Sequence, residues 1–176
     1  MEIVTIKTGY LEENCYLLIN NNNCIVIDPG ADSKRIINRI NNMNVVAILI
    51  THNHFDHIGA VNDIKEKYGT QVFDKTNLKQ GNHTFFDFNF EVIYNSGHSS
   101  DSISFYFKEL NAIFVGDFIF KGSVGRWDLE TGNKIELFKS LKKFKQRYKN
   151  NPELIIYPGH GDHTSVGYEL ENNMFF

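Results

Sequence analysis

The sequence predicts a mixed α/β fold in which two sheets pack together with helices outside them. Helical and strand-like segments are mixed along the chain, and the helices are separated by several strands rather than alternating one for one. Several strand-like runs, "VVAILI" among them, are apolar throughout, as expected for strands buried on both faces. The 176 residues, 41 % hydrophobic and 22 % charged, suit one domain, residues 1–176, with a sizeable core.

The elements follow in order. "EIVTIKT", "NCYLLIN" and "CIVIDPG" read as three successive strands, with "NNN" as a hairpin turn because Asn tolerates positive φ. "SKRIINRINNM" sets Ile36, Ile37, Ile40 and Met43 at helical spacing, and "VVAILI" is a buried strand. "IGAVNDIKEKYG" reads as one helix with Val61, Ile64 and Tyr68 on a single face and Gly69 as its stop. From about Gln71 to Ser104 the pattern is of short strands, "QVF", "HTFFDFNFEVIYN" and "SISFYF", and "NAIFVGD" is another buried one. "NKIELFKSLKKFKQRYK" is the clearest helix, with Asn133 as N-cap and Glu136 three residues on. "ELIIYPGHG" closes the pattern as a strand.

Charge and composition exclude several classes. A net charge of −3 argues against nucleic-acid binding, and the basic run "KSLKKFKQRYK" alternates its cations with Leu141, Phe144 and Tyr148 as the wet face of a helix does. No run is long enough to span a membrane, and the N-terminus lacks the charged-then-apolar pattern of a signal peptide, so a cytoplasmic protein is expected. Cys15 and Cys24 sit in apolar runs and read as small core residues rather than a disulfide framework.

The chemistry concentrates in "THNHFDH". This stretch crowds His52, His54, Asp56 and His57 into the turn after a core strand. Protonated together, the imidazoles would repel; neutral, they would compete for hydrogen-bond partners. A multivalent cation resolves both problems, because neutral imidazole and carboxylate are metal ligands. His52 and His54 are two apart, so both can point the same way from an extended segment. Four ligands this close are more easily shared between two adjacent cations than given to one.

Three further residues follow the same grammar of buried strand, then small or turn-forming residue, then ligand: His98 in "NSGHSS", Asp117 in "FVGDF" and His160 in "IIYPGHG". Such residues would gather at one rim of the sheets. His83 and His163 fit no such slot, and Asp28 in "IDPG" reads as a turn former.

"THNHFDH" resembles the His-x-His-x-Asp-His signature of the metallo-β-lactamase superfamily. "SGHSSDSISFY", "FVGDFIFKGSVGRWDL" and "YPGHGDHTSVGYE" follow in that superfamily's order. "LEENCYLL" and "IDPG" are similar to the opening of small glyoxalase II-like hydrolases. The resemblance implies a four-layer αβ/βα sandwich with metals at one edge of the paired sheets. It implies that His52, His54 and His98 hold one divalent ion, that Asp56, His57 and His160 hold a second, and that Asp117 bridges them. Zinc is the first expectation, with iron or manganese as alternatives. Ser99, Asp101, Phe118 and Trp127 depart from the family's common residues, and the resemblance implies that they belong to the pocket wall rather than to the ligands. These residues also contain no counterpart of the helical domain that helps longer glyoxalase II enzymes hold glutathione.

The reaction implied is hydrolysis of a small-molecule thioester of the S-2-hydroxyacyl-glutathione type by a hydroxide shared between the two cations. Asp56 would bind its metal and could accept the hydroxide's proton. A thiolate leaves at a pKa near ~8.5 without a strong general acid, and the sequence offers no obvious acid. Arg126 stands near the place of a lysine that contacts glutathione in glyoxalase II enzymes, although it could equally pair with Asp128; Lys121 is the other nearby cation. The alternative is an oxidoreductase similar to persulfide dioxygenases, which share the Gly-Arg-x-Asp element seen here as "GRWD" and use a single iron. A non-catalytic metal-binding module is a third reading. Oligomeric state is left open.

Overall fold

A continuous apolar run has something to bury on both faces of its strand, and this chain places a core on each side of two sheets. In the computed structural model, which describes every residue from Met1 to Phe176, the first sheet orders β1 (Glu2–Thr8), β2 (Glu13–Asn20), β3 (Asn23–Ile27), β4 (Asn44–Leu49) and β5 (Val72–Phe73) side by side. β1 to β3 form an antiparallel meander, and β4 and β5 extend it in parallel. The crossovers are α1 (Ser33–Ile40) before β4, and α2 (Phe55–Ile58) with α3 (Val61–Tyr68) before β5.

The second sheet takes β6 (Gly81–Phe85), β7 (Phe88–Tyr94), β8 (Ile103–Phe107), β9 (Ala112–Gly116), β12 (Ile155–Pro158) and β13 (Thr164–Ser165). β9 and β12 are parallel, joined through the small hairpin β10 (Ile119–Phe120) and β11 (Ser123–Val124) and the long helix α4 (Lys134–Tyr148). A last helix, α5 (Val166–Asn172), follows β13.

Side-chain alternation sorts the strands into three cores. Tyr16 and Leu18 of β2, Ile25 and Ile27 of β3, and Phe105, Phe107 and Phe114 of the second sheet meet between the sheets. Cys15, Leu17, Cys24 and Val26, the alternate residues of β2 and β3, pack outward with Ile36 and Ile40 of α1 and Ile64 of α3. Ile113 and Val115 of β9 pack outward against Leu137, Leu141 and Phe144 of α4. The result is the expected four-layer αβ/βα sandwich. Both cysteines are free and fully buried. No helix is long and apolar enough to cross a membrane.

Local differences from the expected elements have local causes. The run "HTFFDFNFEVIYN" is two strands, because Phe86 turns at positive φ and makes β6–β7 a hairpin. The helix expected over "IGAVNDIKEKYG" is interrupted at Gly59–Ala60, where the chain passes against Gly30: a Cβ on Gly59 would lie 2.3 Å from the Gly30 carbonyl oxygen. The α4 start is as expected, with the Asn133 side chain accepting from Glu136 N at 3.1 Å. Helix α5 was not expected from the pattern. Its buried face includes Glu169, whose carboxylate accepts from Gly122 N, Thr164 Oγ1 and the Asn173 side chain.

Candidate metal centre

Every element that carries a ligand-type residue ends at the same rim. His52 and His54 leave β4 in extended chain, and His54 is the N-cap residue of α2, so Asp56 and His57 fall in that helix's single turn. His98 follows β7, Asp117 follows β9 and His160 follows β12. The carboxyl ends of parallel strands are where sheets of this kind open to ligands. Gly97 lets α4 close over the His98 loop: its φ is +147° and a Cβ there would lie 2.2 Å from Leu137 Cα. Asn133 N donates to Gly97 O at 2.8 Å across the same contact.

The seven residues come together as two sets sharing one carboxylate. His52, His54 and His98 bring ring nitrogens within 4.8 Å of one another, as do Asp56, His57 and His160 with one ligand atom each. His54 Nδ1 lies 3.0 Å from His98 Nε2, and His160 Nε2 lies 3.2 Å from Asp56 Oδ2. Asp117 stands between the sets. Its Oδ1 is 3.3 Å from His57 Nε2, and its Oδ2 is 3.7 Å from both His98 Nε2 and His160 Nε2. Gly159 keeps this space clear, since a Cβ there would come within 2.2 Å of Asp117 Oδ1.

The outward nitrogens of these histidines are fixed, and this aims their inner nitrogens. His98 Nδ1 lies 2.7 Å from the Arg126 carbonyl, His160 Nδ1 lies 3.1 Å from the Leu11 carbonyl, and His57 Nδ1 lies 3.0 Å from Asp28 Oδ2. With the proton on Nδ1, each Nε2 offers a lone pair inward, as metal-ligating histidines do. His52 Nε2, His57 Nε2 and Asp117 Oδ1 are buried without a hydrogen-bond partner. Buried polar atoms are normally paired, so an inward cluster of orphaned lone pairs is what a cation would satisfy. The donor set, imidazole and carboxylate without thiolate, fits zinc, iron or manganese.

Electrostatics agree. Burial works against a charged His57, yet the Asp117 and Asp28 carboxylates outweigh it and hold its pKa well above the ordinary value. Burial and neighbouring His57 push His52 the opposite way. Asp117 is held well below the usual carboxylate range: burial opposes this, but His57, His52 and His160 prevail.

Asp28 is more than a turn former. It does turn, at φ 48°. Its buried carboxylate also accepts from Thr51 N at 2.7 Å, Thr51 Oγ1 at 2.5 Å and His57 Nδ1 at 3.0 Å. Thr51 Oγ1 in turn lies 3.1 Å from His52 Nδ1. One carboxylate therefore orients a histidine of each set. Asp28, His52 and His57 also bring ligand atoms within 4.8 Å of one another, but both Asp28 oxygens are already engaged, which suits an orienting role. Glu13 lies behind His57, its Oε1 3.8 Å from Nδ1 and unpartnered; burial pushes its carboxyl up to about 9.

The rim opens into a cleft of about 1060 Å³. Leu11, Phe55, Phe120, Val124 and Leu129 supply its apolar wall, and Asp101, Arg126 and Glu130 its ionisable groups apart from the metal-type residues. Asp101 is tied to Asn53 through its backbone and side chain, at 3.0 and 2.8 Å. Arg126 lines the cleft with its guanidinium held by Asp128 through two hydrogen bonds of 2.7 and 2.9 Å. Trp127 packs on Phe138 and Phe175, away from the cleft's lining, and Phe118 is buried in the outer core. Lys121 is absent from the lining and pairs with Asp162. His83 and His163 lie outside the cluster, stacked on Phe90 and Tyr157.

Comparison with known proteins points the same way. The family model of the metallo-beta-lactamase superfamily matches residues 8–73 and 74–160. A hydroxyacylglutathione hydrolase, GloC, of Haemophilus influenzae is 29% identical over 99% of this chain and 98% of its own. A solved B3 metallo-beta-lactamase, BLEG-1, superposes with a TM-score of 0.93 at 28% identity, covering 99% of both chains. TTHA1623, solved in a di-iron-bound form, superposes with a TM-score of 0.88 at 30% identity over 98% of this chain and 100% of that one.

Proposed function

The chain belongs to the metallo-β-lactamase superfamily and is a metal-dependent hydrolase of that superfamily; from that premise we propose that it hydrolyses small-molecule acyl thioesters of the hydroxyacylglutathione type at a binuclear metal site. The observation that carries the reading is Asp117, which lines the cleft and stands between the two donor sets. In this reading His52, His54 and His98 would hold one cation and Asp56, His57 and His160 the other, with the Asp117 carboxylate available to both. Bound divalent cations would supply a water acidified toward neutrality and a Lewis acid for the carbonyl oxygen.

The chain's own residues do the rest. Asp56 lines the cleft beside His160 and is the carboxylate placed to take a proton. Leu11, Phe55 and Val124 offer an apolar wall against which an acyl chain would pack. Burial works to raise the Asp101 pKa, but hydrogen bonds from Ser99 and Asn53 outweigh it and hold it below the ordinary carboxylate value. A thiolate departs as an anion and needs no strong general acid in the cleft. The likeness to a hydroxyacylglutathione hydrolase supports the same substrate class.

Arg126 is proposed to hold a carboxylate at the thiol end. Asp128 occupies its Nε and Nη2, leaving Nη1 free. Arg126→Ala is expected to raise KM roughly three- to tenfold for a carboxylate-bearing thioester, to leave a neutral thioester nearly unchanged, and to retain the metal content. Equal effects on both substrates would assign Arg126 to the loop's structure alone. A panel of hydroxyacyl thioesters, a cephalosporin and a thiol persulfide with an oxygen electrode tests the activity itself. Turnover of the thioesters is expected. Preferential opening of the β-lactam, or oxygen uptake with the persulfide, would overturn the thioesterase reading.

A further inference from the structure

On the far side of the second sheet from the first, a separate cavity of about 150 Å³ lies between that sheet and α4. Its mouth is formed by the exposed Gln80, Lys143 and Arg147, and its floor by the buried Asn95, Ser104 and Phe118. We propose that this cavity binds a small carboxylate.

The polar groups left over here are donors. Asn95 is 3 % exposed and its Nδ2 has no partner, while its Oδ1 already accepts from Ser104 Oγ at 3.1 Å. Tyr148 is 5 % exposed and its hydroxyl also has no partner. Burial pushes that phenol's pKa up, so it keeps its proton to donate. Ser140 is spent on the Ser96 carbonyl at 2.8 Å. Lys143 has no ion pair, whereas Arg147 is paired with Glu91 and lies over the Tyr148 ring. No Asp or Glu lines the cavity. Two buried donors beneath a free ammonium select a negatively charged, oxygen-rich head. Ile93, Ile113, Phe118 and Phe144 supply apolar walls for a short alkyl chain, and an enclosed space of this size takes a molecule about as large as benzene.

The cavity also abuts the metal rim. Asn95 opens the loop that carries His98, and Phe118 directly follows Asp117. An occupant would brace both segments from behind, where no metal-type ligand is touched.

The test is a titration of the metal-loaded protein with sodium propanoate, followed in ¹⁵N correlation spectra at the Asn95 side-chain amide. Sodium chloride at matched ionic strength is the control. A saturable shift with propanoate and none with chloride is expected. Lys143→Glu, a change at an exposed position on α4, should weaken the propanoate response by about tenfold or more and leave thioester turnover without propanoate unchanged. Tyr148→Phe should weaken it in the same direction. No saturable shift, an equal response to chloride, or an undiminished response in Lys143→Glu would overturn the proposal. So would a crystal soaked in propanoate that shows only water on Asn95 Nδ2 and Tyr148 Oη.

Discussion

Asp117→Ala is expected to abolish turnover, by on the order of 10³-fold or more, and to loosen the cations of both donor sets together. Asp117 stands between the sets, with Oδ1 3.3 Å from His57 Nε2 and Oδ2 3.7 Å from His98 Nε2. Its removal leaves the buried nitrogens of His52 and His57 facing a void that Gly159 cannot fill. His160→Ala should by contrast weaken mainly one cation, since His160 belongs to one set and is partly exposed. Metal content after dialysis, read beside turnover and a melting curve, separates the two variants. Two tightly held ions in Asp117→Ala would mean that Asp117 does not bridge.

Asp28→Ala is expected to destabilise the fold strongly although Asp28 does not line the cleft. It would strip the acceptor from Thr51 N, Thr51 Oγ1 and His57 Nδ1 in one step, all of them buried. Each buried donor left unpaired costs about 1–3 kcal/mol, against a typical total stability of about 5–15 kcal/mol. A melting temperature lower by about 10 °C or more is expected. Asp28→Asn keeps the volume and tolerates the positive φ, but it puts an amide where an acceptor was. It should stay folded and lose about 10- to 100-fold in metal affinity, because His57 and, through Thr51, His52 lose their orientation. Asp28→Asn with wild-type metal affinity would reduce Asp28 to its turn.

Sequence made the metal-type residues legible and the groups that aim them much less so. His52, His54, Asp56 and His57 are crowded within six positions, and ligand chemistry is the simplest reason for such crowding. His98, Asp117 and His160 follow a strand and a glycine, and they reach one rim because β7, β9 and β12 run in the same direction. Asp28 ends a buried strand too, but "DPG" is also a complete turn signal, and the turn reading concealed the carboxylate's three hydrogen bonds. Glu13 was hidden differently: a buried acid at the start of an apolar strand shows its purpose only when His57 and Thr8 are brought across from other elements. Two packed sheets with helices outside followed from the order of strands and helices, and the αβ/βα sandwich from the resemblance. Helix α5 escaped because part of its buried face is Glu169, a residue whose burial depends on Gly122, Thr164 and Asn173 arriving from elsewhere. The split of "IGAVNDIKEKYG" escaped because it is set by the contact of Gly59 with Gly30, a tertiary approach that overrides local propensity.

The central claim is that this rim holds two cations, and elemental analysis of metal-reconstituted protein combined with anomalous diffraction at the absorption edge of the metal found tests it most directly. Two transition-metal ions per chain are expected, one among His52, His54 and His98 and one among Asp56, His57 and His160, with Asp117 between them. A single ion after full reconstitution, or an anomalous peak held by only one of the two sets, would contradict the binuclear account.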